Sequence, residues 1–117
     1  MTISEEMKKI VDELISKYGP RYEIELNELY ELFWVRFQRR QSSIRPKDYC
    51  YNRVNKGVKF FDWPRLLEYI EPGVYRCLGE NFSYTGETKN SQDGIVVGTW
   101  INGDFTKNEY WYVCGLK

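Results

Sequence analysis

The stretch "SSIRPKDYCYNRVNKGVKFF", residues 42–61, combines cations with tyrosines and asparagines, and its interpretation decides the fold. Residues 36–59 carry eight cations and a single anion, a net charge of +7 in a chain of zero total charge. The residues before this segment sum to −4 and those after it sum to −3. The overall neutrality therefore conceals a strongly polarised chain.

The centre of this stretch has the pattern of a short helix. Pro46 suits the first helical position, where its missing N–H is not needed. Cys50 and Val54, at i and i+4, would form a narrow apolar stripe. The pattern predicts a helix over residues 46–55 that stops at Gly57, with an outward face consisting of Lys47, Asp48, Tyr51, Asn52 and Asn55.

Two helices and a short strand are predicted before this stretch. Ser4 with the following acids indicates a helix start, and apolar residues at helical spacing continue to Tyr18, before Gly19 and Pro20. Residues 22–26, "YEIEL", alternate as expected of a short strand or an extended connector. Asn27 can then cap a second helix, which ends near three cations: Arg36, Arg39 and Arg40. A favourable interaction with the negative end of the helix dipole is a sufficient explanation for these arginines.

The remaining residues favour β-structure. The Pro72-Gly73 turn signal lies between two alternating segments, so residues 66–78 are predicted to form a β-hairpin. Residues 80–94 are polar and contain glycine, which is typical of an exposed loop. The segments "IVVGTWI" (95–101) and "EYWYVCG" (109–115) are predicted to form a further pair of strands.

This order of elements resembles that of a winged helix-turn-helix domain, and it is similar to small bacterial and phage-type domains of that shape. The resemblance covers residues 4–80. It implies an α+β fold: a three-helix winged helix-turn-helix core with a β-hairpin wing, followed by a C-terminal β extension over residues 81–117 of the same single domain. In that family the third helix enters the major groove of DNA and the wing contacts the flanking backbone. The tip of the predicted wing, Glu71-Pro72-Gly73, departs from the family because it carries no cation.

The leading functional prediction is a non-enzymatic module that binds duplex DNA, as a small regulator or as a targeting module in a defence or mobile-element setting. Lysine and arginine neutralise phosphates, and asparagine matches an adenine edge in the major groove. The predicted contact residues are Arg39, Arg40, Arg45, Lys47, Tyr51, Asn52, Arg53, Asn55 and Lys56. The alternative is that these residues form an ordinary solvated face.

A second functional prediction is a protein-interaction module, such as a small inhibitor or accessory subunit, that acts through acidic and aromatic surfaces. The balanced charge and a pI near 6.3 favour it, because independent DNA-binding domains are commonly basic. The aromatic segments "FFDWP" (60–64) and "EYWYVC" (109–114) are expected to pack in the core and the sheet. A cleft that stacks a base would instead need four aromatic side chains to converge: Trp63, Tyr84, Trp100 and Trp111.

Composition argues against several classes of protein. Because the chain has no histidine, Ser-His-Asp and Cys-His nucleophile systems are excluded; carboxylate chemistry remains formally open, but we predict no enzyme and no cofactor. The three cysteines (Cys50, Cys77, Cys114) lack the paired spacing of a zinc site, and with a chain free of long apolar runs they favour a reduced, cytoplasmic protein without metal or membrane partners.

Overall fold

The computed structural model describes residues 1–57 and 59–116, so Lys117 at the end of the predicted extension lies outside the described residues. The helices are α1 (Ile3–Tyr18), α2 (Leu26–Phe37) and α3 (Glu109–Val113). The strands are β1 (Glu23–Glu25), β2 (Arg53–Val54), β3 (Leu67–Glu71), β4 (Val74–Cys77), β5 (Gly86–Asn90), β6 (Val96–Ile101) and β7 (Asp104–Lys107). Short 3-10 helices occur at Gln41–Ser43, Pro46–Tyr49 and Phe60–Asp62.

The first predicted helix is confirmed as α1, but it begins earlier than predicted. Thr2 is the N-cap, and its hydroxyl accepts a hydrogen bond from the Glu5 N–H while the Glu5 carboxylate accepts one from the Thr2 N–H. This reciprocal pair forms a capping box. Ser4, the predicted cap, instead lies within the helix and contacts the Tyr49 hydroxyl.

A three-stranded sheet follows the order β1-β4-β3, and it confirms the predicted strand at residues 22–26 and the hairpin at Pro72-Gly73. Gly73 takes the left-handed backbone conformation of the turn, with φ 83°. The second predicted helix is confirmed as α2, although Glu25 rather than Asn27 stands at its N-cap position. The sheet and the two helices enclose the first apolar cluster.

The predicted three-helix winged helix-turn-helix core is wrong, although the chain is α+β. Residues 46–55 do not form the third helix: one 3-10 turn, Pro46–Tyr49, leads into extended chain and β2. Residues 48–52 are all buried, so the chain there is enclosed on both sides. A helix would expose one face of this run, whereas an extended segment can be covered by a sheet on each side.

The C-terminal third also differs from its prediction. The segment predicted as a loop contains β5, and the four-stranded sheet has the order β2-β5-β6-β7, with β2 parallel to β5. β6 pairs with β5 on one side and with β7 on the other, and the two-residue turn Asn102-Gly103 joins it to β7. Residues 109–113 form α3 instead of a strand because Asn108 caps the Tyr110 N–H. The helical period then places Trp111 in the core.

Two apolar clusters meet along residues 49–52. The first is built on α1, α2 and the three-stranded sheet, and the second packs the four-stranded sheet against Phe60 and Trp111. Tyr51 donates its N–H to the Leu67 carbonyl, and the Asn52 carbonyl accepts from the Lys89 N–H. One extended segment is thus bonded to β3 on one side and β5 on the other. Among the described helices, none is long and apolar enough to cross a bilayer.

Candidate nucleic-acid interface

Two cations of the basic segment 36–59, of which only Arg39 is a predicted contact residue, are neutralised by α1. The Arg36 guanidinium forms a two-pronged ion pair with Glu13, and Arg39 bonds the buried Glu6 carboxylate at 2.8 Å. Charge-assisted contacts of this kind fix the end of α2 against α1. These arginines serve the packing of the two helices, and their charge is largely compensated within the chain.

Tyr51 and Asn52 lie in the interior, so the prediction that they face solvent is wrong. The Asn52 side chain accepts from the Tyr69 N–H at 2.8 Å and donates to the Tyr69 carbonyl at 2.9 Å, as a neighbouring strand would. The Tyr51 hydroxyl donates to the Gly79 carbonyl at 2.8 Å and accepts from the Phe82 N–H. Both side chains satisfy buried backbone groups.

The remaining predicted contact residues are distributed over several places. Asn55 donates to the buried Asp48 carboxylate at 2.9 Å. Arg40 borders a shallow cavity beside Trp34, whereas Arg45 borders a different one beside Trp63. Lys56 is exposed near Gly115. These residues do not build one continuous surface.

Lys47 and Arg53 do converge, on the ring of Tyr69. The Lys47 ammonium lies 5.2 Å from the ring centroid and the Arg53 guanidinium lies 4.7 Å from it. Lys89 is the register partner of Arg53 across β2 and β5. Neither these three cations nor Arg40, Arg45, Lys56 and Lys59 form an ion pair within the described ranges. We call Lys47, Arg53, Tyr69 and Lys89 the Tyr69 surface.

Sequence reasoning did not find Tyr69 or Lys89 as members of this surface. Tyr69 was assigned to the hairpin, which is correct, and Lys89 to a loop. Their proximity to Lys47 and Arg53 depends on the parallel pairing of residues 50–54 with both β3 and β5. No local pattern in the sequence reports a pairing between segments so distant along the chain.

A buried cation lies behind the extended segment. The Arg65 guanidinium is 8% exposed and donates to the carbonyls of Asp48, Cys50 and Trp63. It lies 4.0 Å from the centre of the Phe60 ring. Burial lowers its pKa to about 10, so it stays charged at neutral pH. No carboxylate in the described chain forms an ion pair with it.

Two cavities adjoin each other at Phe82. The first, of about 150 Å³, has a wall of three aromatic and three polar or charged side chains and one glycine: Tyr51, Phe82, Trp100, Arg65, Glu80, Asn81 and Gly103. The second, of about 280 Å³, is polar and is lined by Arg21, Glu68, Arg76, Leu78, Phe82, Ser83, Tyr84 and Thr85. Arg21 has φ 65° and places its guanidinium 5.7 Å from the Phe82 ring centroid.

The second cavity contains a preformed polar network. Glu68 accepts from the Tyr84 hydroxyl at 2.8 Å and from Arg76 at 2.9 Å, and Arg76 also bonds Glu23. Burial, together with this bond to Glu68, raises the pKa of Tyr84. Arg21 has no ion-pair partner in the described residues. The network fixes Glu68 and Arg76, and leaves Arg21 available to an external anion.

The four aromatic residues considered for a base-stacking cleft do not converge. Trp63 packs on Tyr49 beside the first cluster, with ring centroids 6.0 Å apart, while Tyr84, Trp100 and Trp111 belong to the second. Trp111 is fully buried. Of the two aromatic segments expected to pack in the core, Phe60 and Trp111 do so, whereas Phe61, Tyr110 and Tyr112 are exposed. Within the described residues, no group of three or more His, Cys, Asp or Glu side chains could hold a metal ion.

Comparison with known proteins gives a family for the chain. Residues 2–107 match the family described as domain of unknown function DUF7225. The Bacillus subtilis (strain 168) protein described as "Uncharacterized protein YnaC" is 34% identical over 107 residues, which is 88% of this chain and 38% of that relative. The chain thus spans well under half the length of this relative. No solved structure matches it. Because the family match covers most of its residues, the chain belongs to the DUF7225 family.

Proposed function

We propose that this domain is a non-enzymatic module that binds nucleic acid by its phosphate backbone. The observation that carries the proposal is the convergence of Lys47 and Arg53 on Tyr69, next to Lys89, without an internal counter-ion among the described residues. Cations that are already neutralised, such as Arg36 and Arg39, bind a phosphate weakly because their charge is compensated within the chain. Unpaired cations release counter-ions from the nucleic acid when they bind it, and this release favours binding.

The geometry favours binding without base-sequence preference at this surface. The side-chain amides of Asn52 and Asn55, the two asparagines predicted to contact bases, are already bonded to the Tyr69 backbone and to Asp48. Cations at fixed spacing can instead contact successive phosphates, and such contacts position a protein without reading sequence. Tyr69 supports the arrangement, because a ring beneath two cations holds their side chains and favours their charge.

Fluorescence anisotropy with labelled duplexes of unrelated sequence tests the proposal. At about 50 mM salt, every duplex should bind with similar affinity. Lys47→Ala with Arg53→Ala should weaken binding on the order of tenfold or more. Lys9→Ala with Lys17→Ala is the matched control, since it removes the same charge from exposed positions of α1 and should change affinity little.

Two results would contradict the proposal. Equal weakening by both double variants would mean that net charge, and not the Tyr69 surface, governs binding. Absence of binding to any duplex would favour the protein-interaction alternative. That alternative has exposed apolar side chains of its own, including Phe61 at 57%, Tyr112 at 69% and Val113 at 77% exposure.

A further inference from the structure

We infer that the cavity between Arg65 and Phe82 accepts one unstacked nucleobase of a single strand. The inference rests on the proposed function, because the phosphates of the same strand would be held by surface cations. The inference adds a second site, for a nucleobase of single-stranded nucleic acid, to the phosphate contacts of the proposed function.

The first argument is the unbalanced charge of Arg65. A buried cation is normally paired with a carboxylate, because removal of a charge from water is costly. Arg65 forms no ion pair in the described chain; its partners are three carbonyls and the Phe60 ring, and its four hydrogen bonds leave one of five guanidinium N–H groups without an acceptor among the described residues. A ligand with a ring nitrogen or a carbonyl oxygen would supply a hydrogen-bond acceptor for the remaining N–H group of Arg65.

The second argument is the size and chemistry of the wall. At about 150 Å³ the cavity is below the roughly 300 Å³ of common small-molecule sites, and a single heterocycle suits it better than a larger ligand. Phe82 is half-buried and offers an aromatic face for stacking, whereas Tyr51 and Trp100 are buried against each other and close the inner end of the cavity. Asn81 can donate and accept hydrogen bonds, and Glu80 can accept from an exocyclic amino group. Enzymes that extrude bases use pockets of this composition.

The third argument is the adjoining cavity. Phe82 lines both spaces, so a base in the first cavity would bring its sugar-phosphate close to the second. There the Arg21 guanidinium already lies over the ring without an ion-pair partner in the described chain. The hydroxyl of Ser83 lines the same space and is a common phosphate donor. Base, ring and phosphate donors therefore follow one another in the order that a strand requires.

The test compares a short single-stranded oligonucleotide with an abasic strand of equal length and equal phosphate number. The wild-type protein should bind the intact strand about 5- to 150-fold more tightly, the range for stacking of one base on an aromatic side chain. Phe82→Leu, which keeps apolar volume but loses the aromatic face, should remove most of this preference. Phe82→Tyr should retain it. Thermal unfolding of both variants checks that they fold.

The outcomes separate this inference from the proposed function. Equal binding of the intact and abasic strands by the wild-type protein overturns the base site and leaves phosphate binding in place. An unchanged preference in Phe82→Leu also overturns it. Failure of both strands to bind overturns the base site, and the proposed function falls with it only if duplexes fail to bind as well. Quenching of tryptophan fluorescence compares the strand with a free nucleoside monophosphate. If the monophosphate quenches at the same or a lower concentration than the strand, the ligand of this cavity is a free nucleotide and the inference of a strand is wrong.

Discussion

At the scale of single residues, polar side chains in the basic stretch are used to connect backbone segments. The Asn52 amide bonds the N–H and the carbonyl of Tyr69, as the backbone of a neighbouring strand would. The Arg65 guanidinium donates hydrogen bonds to three backbone carbonyls that lie outside the strand pairing. The same residue types suggested DNA contacts in the sequence because asparagine and arginine serve both purposes equally well. Burial alone distinguishes the two uses, and burial here is decided by distant segments.

Asn52→Ala should destabilise the protein by about 2 kcal/mol, since it leaves the N–H and carbonyl of Tyr69 without their partner. Asn27→Ala, at an exposed position of α2, should have an effect within about 0.5 kcal/mol. Urea unfolding of the two variants measures the difference. A stable Asn52→Ala protein with altered DNA-sequence preference would instead support the original base-contact assignment.

Stability should fall as the pH rises above about 9. Burial raises the pKa of Cys50 and Cys77 to about 12, from 9.0, and it raises the pKa of Tyr75 and of Tyr84 above 10.0. The folded protein thus keeps protons that the unfolded chain releases, and each group contributes a loss of up to about 1.4 kcal/mol per pH unit. Arg65 has the opposite effect on stability above about pH 10, because its lowered pKa makes the folded protein lose a proton that the unfolded chain keeps, but it is one group against four.

Thermal unfolding between neutral pH and pH 11 measures that dependence. The midpoint should be nearly constant up to about pH 8 and should decrease from about pH 9, where the thiols of the unfolded chain begin to ionise. A midpoint that stays constant up to pH 11 would mean that these thiols and phenols are not buried as described.

At the scale of elements, the sequence predicts a helix, strand or turn correctly where the residues that determine it are adjacent in the chain. The apolar spacing of α1, the alternation in β1 and the Pro72-Gly73 turn each depend on a few adjacent residues, and each was predicted. The segment at 46–55 was not, because its i and i+4 stripe is equally compatible with chain buried on both sides. α3 was missed for a related reason: four of its five residues are aromatic or β-branched and suit a strand, and only the Asn108 cap indicates a helix.

The start of α1 provides a test at this scale. Thr2→Ala should cost about 1 kcal/mol, because it removes the acceptor for the Glu5 N–H and half of the capping box. Ser4→Ala should cost clearly less, since Ser4 makes only a long contact of 3.3 Å with Tyr49. Chemical denaturation of both variants provides the comparison. A larger loss in Ser4→Ala would restore Ser4 as the helix cap.

At the scale of the whole molecule, charge and topology together define the candidate interface. The basic segment is divided between ion pairs to α1, dispersed surface cations and the Tyr69 surface. Sequence identified Lys47 and Arg53 as members of a basic patch but not the residues that complete it, because Tyr69 and Lys89 are brought there by two separate sheets. The cavities at Phe82 likewise arise where the two apolar clusters meet, and no local motif predicts them.

The salt dependence of duplex binding tests the central claim most directly, because it counts phosphate contacts and is insensitive to base stacking. If Lys47, Arg53 and Lys89 each contact one phosphate, the logarithm of the binding constant should fall against the logarithm of salt concentration with a slope near −2.7, from about 0.9 per contact. Lys47→Ala with Arg53→Ala should reduce the slope to about −0.9, while Lys9→Ala with Lys17→Ala should leave it unchanged. Equal slopes for the wild type and the Lys47/Arg53 double variant would contradict phosphate binding at the Tyr69 surface.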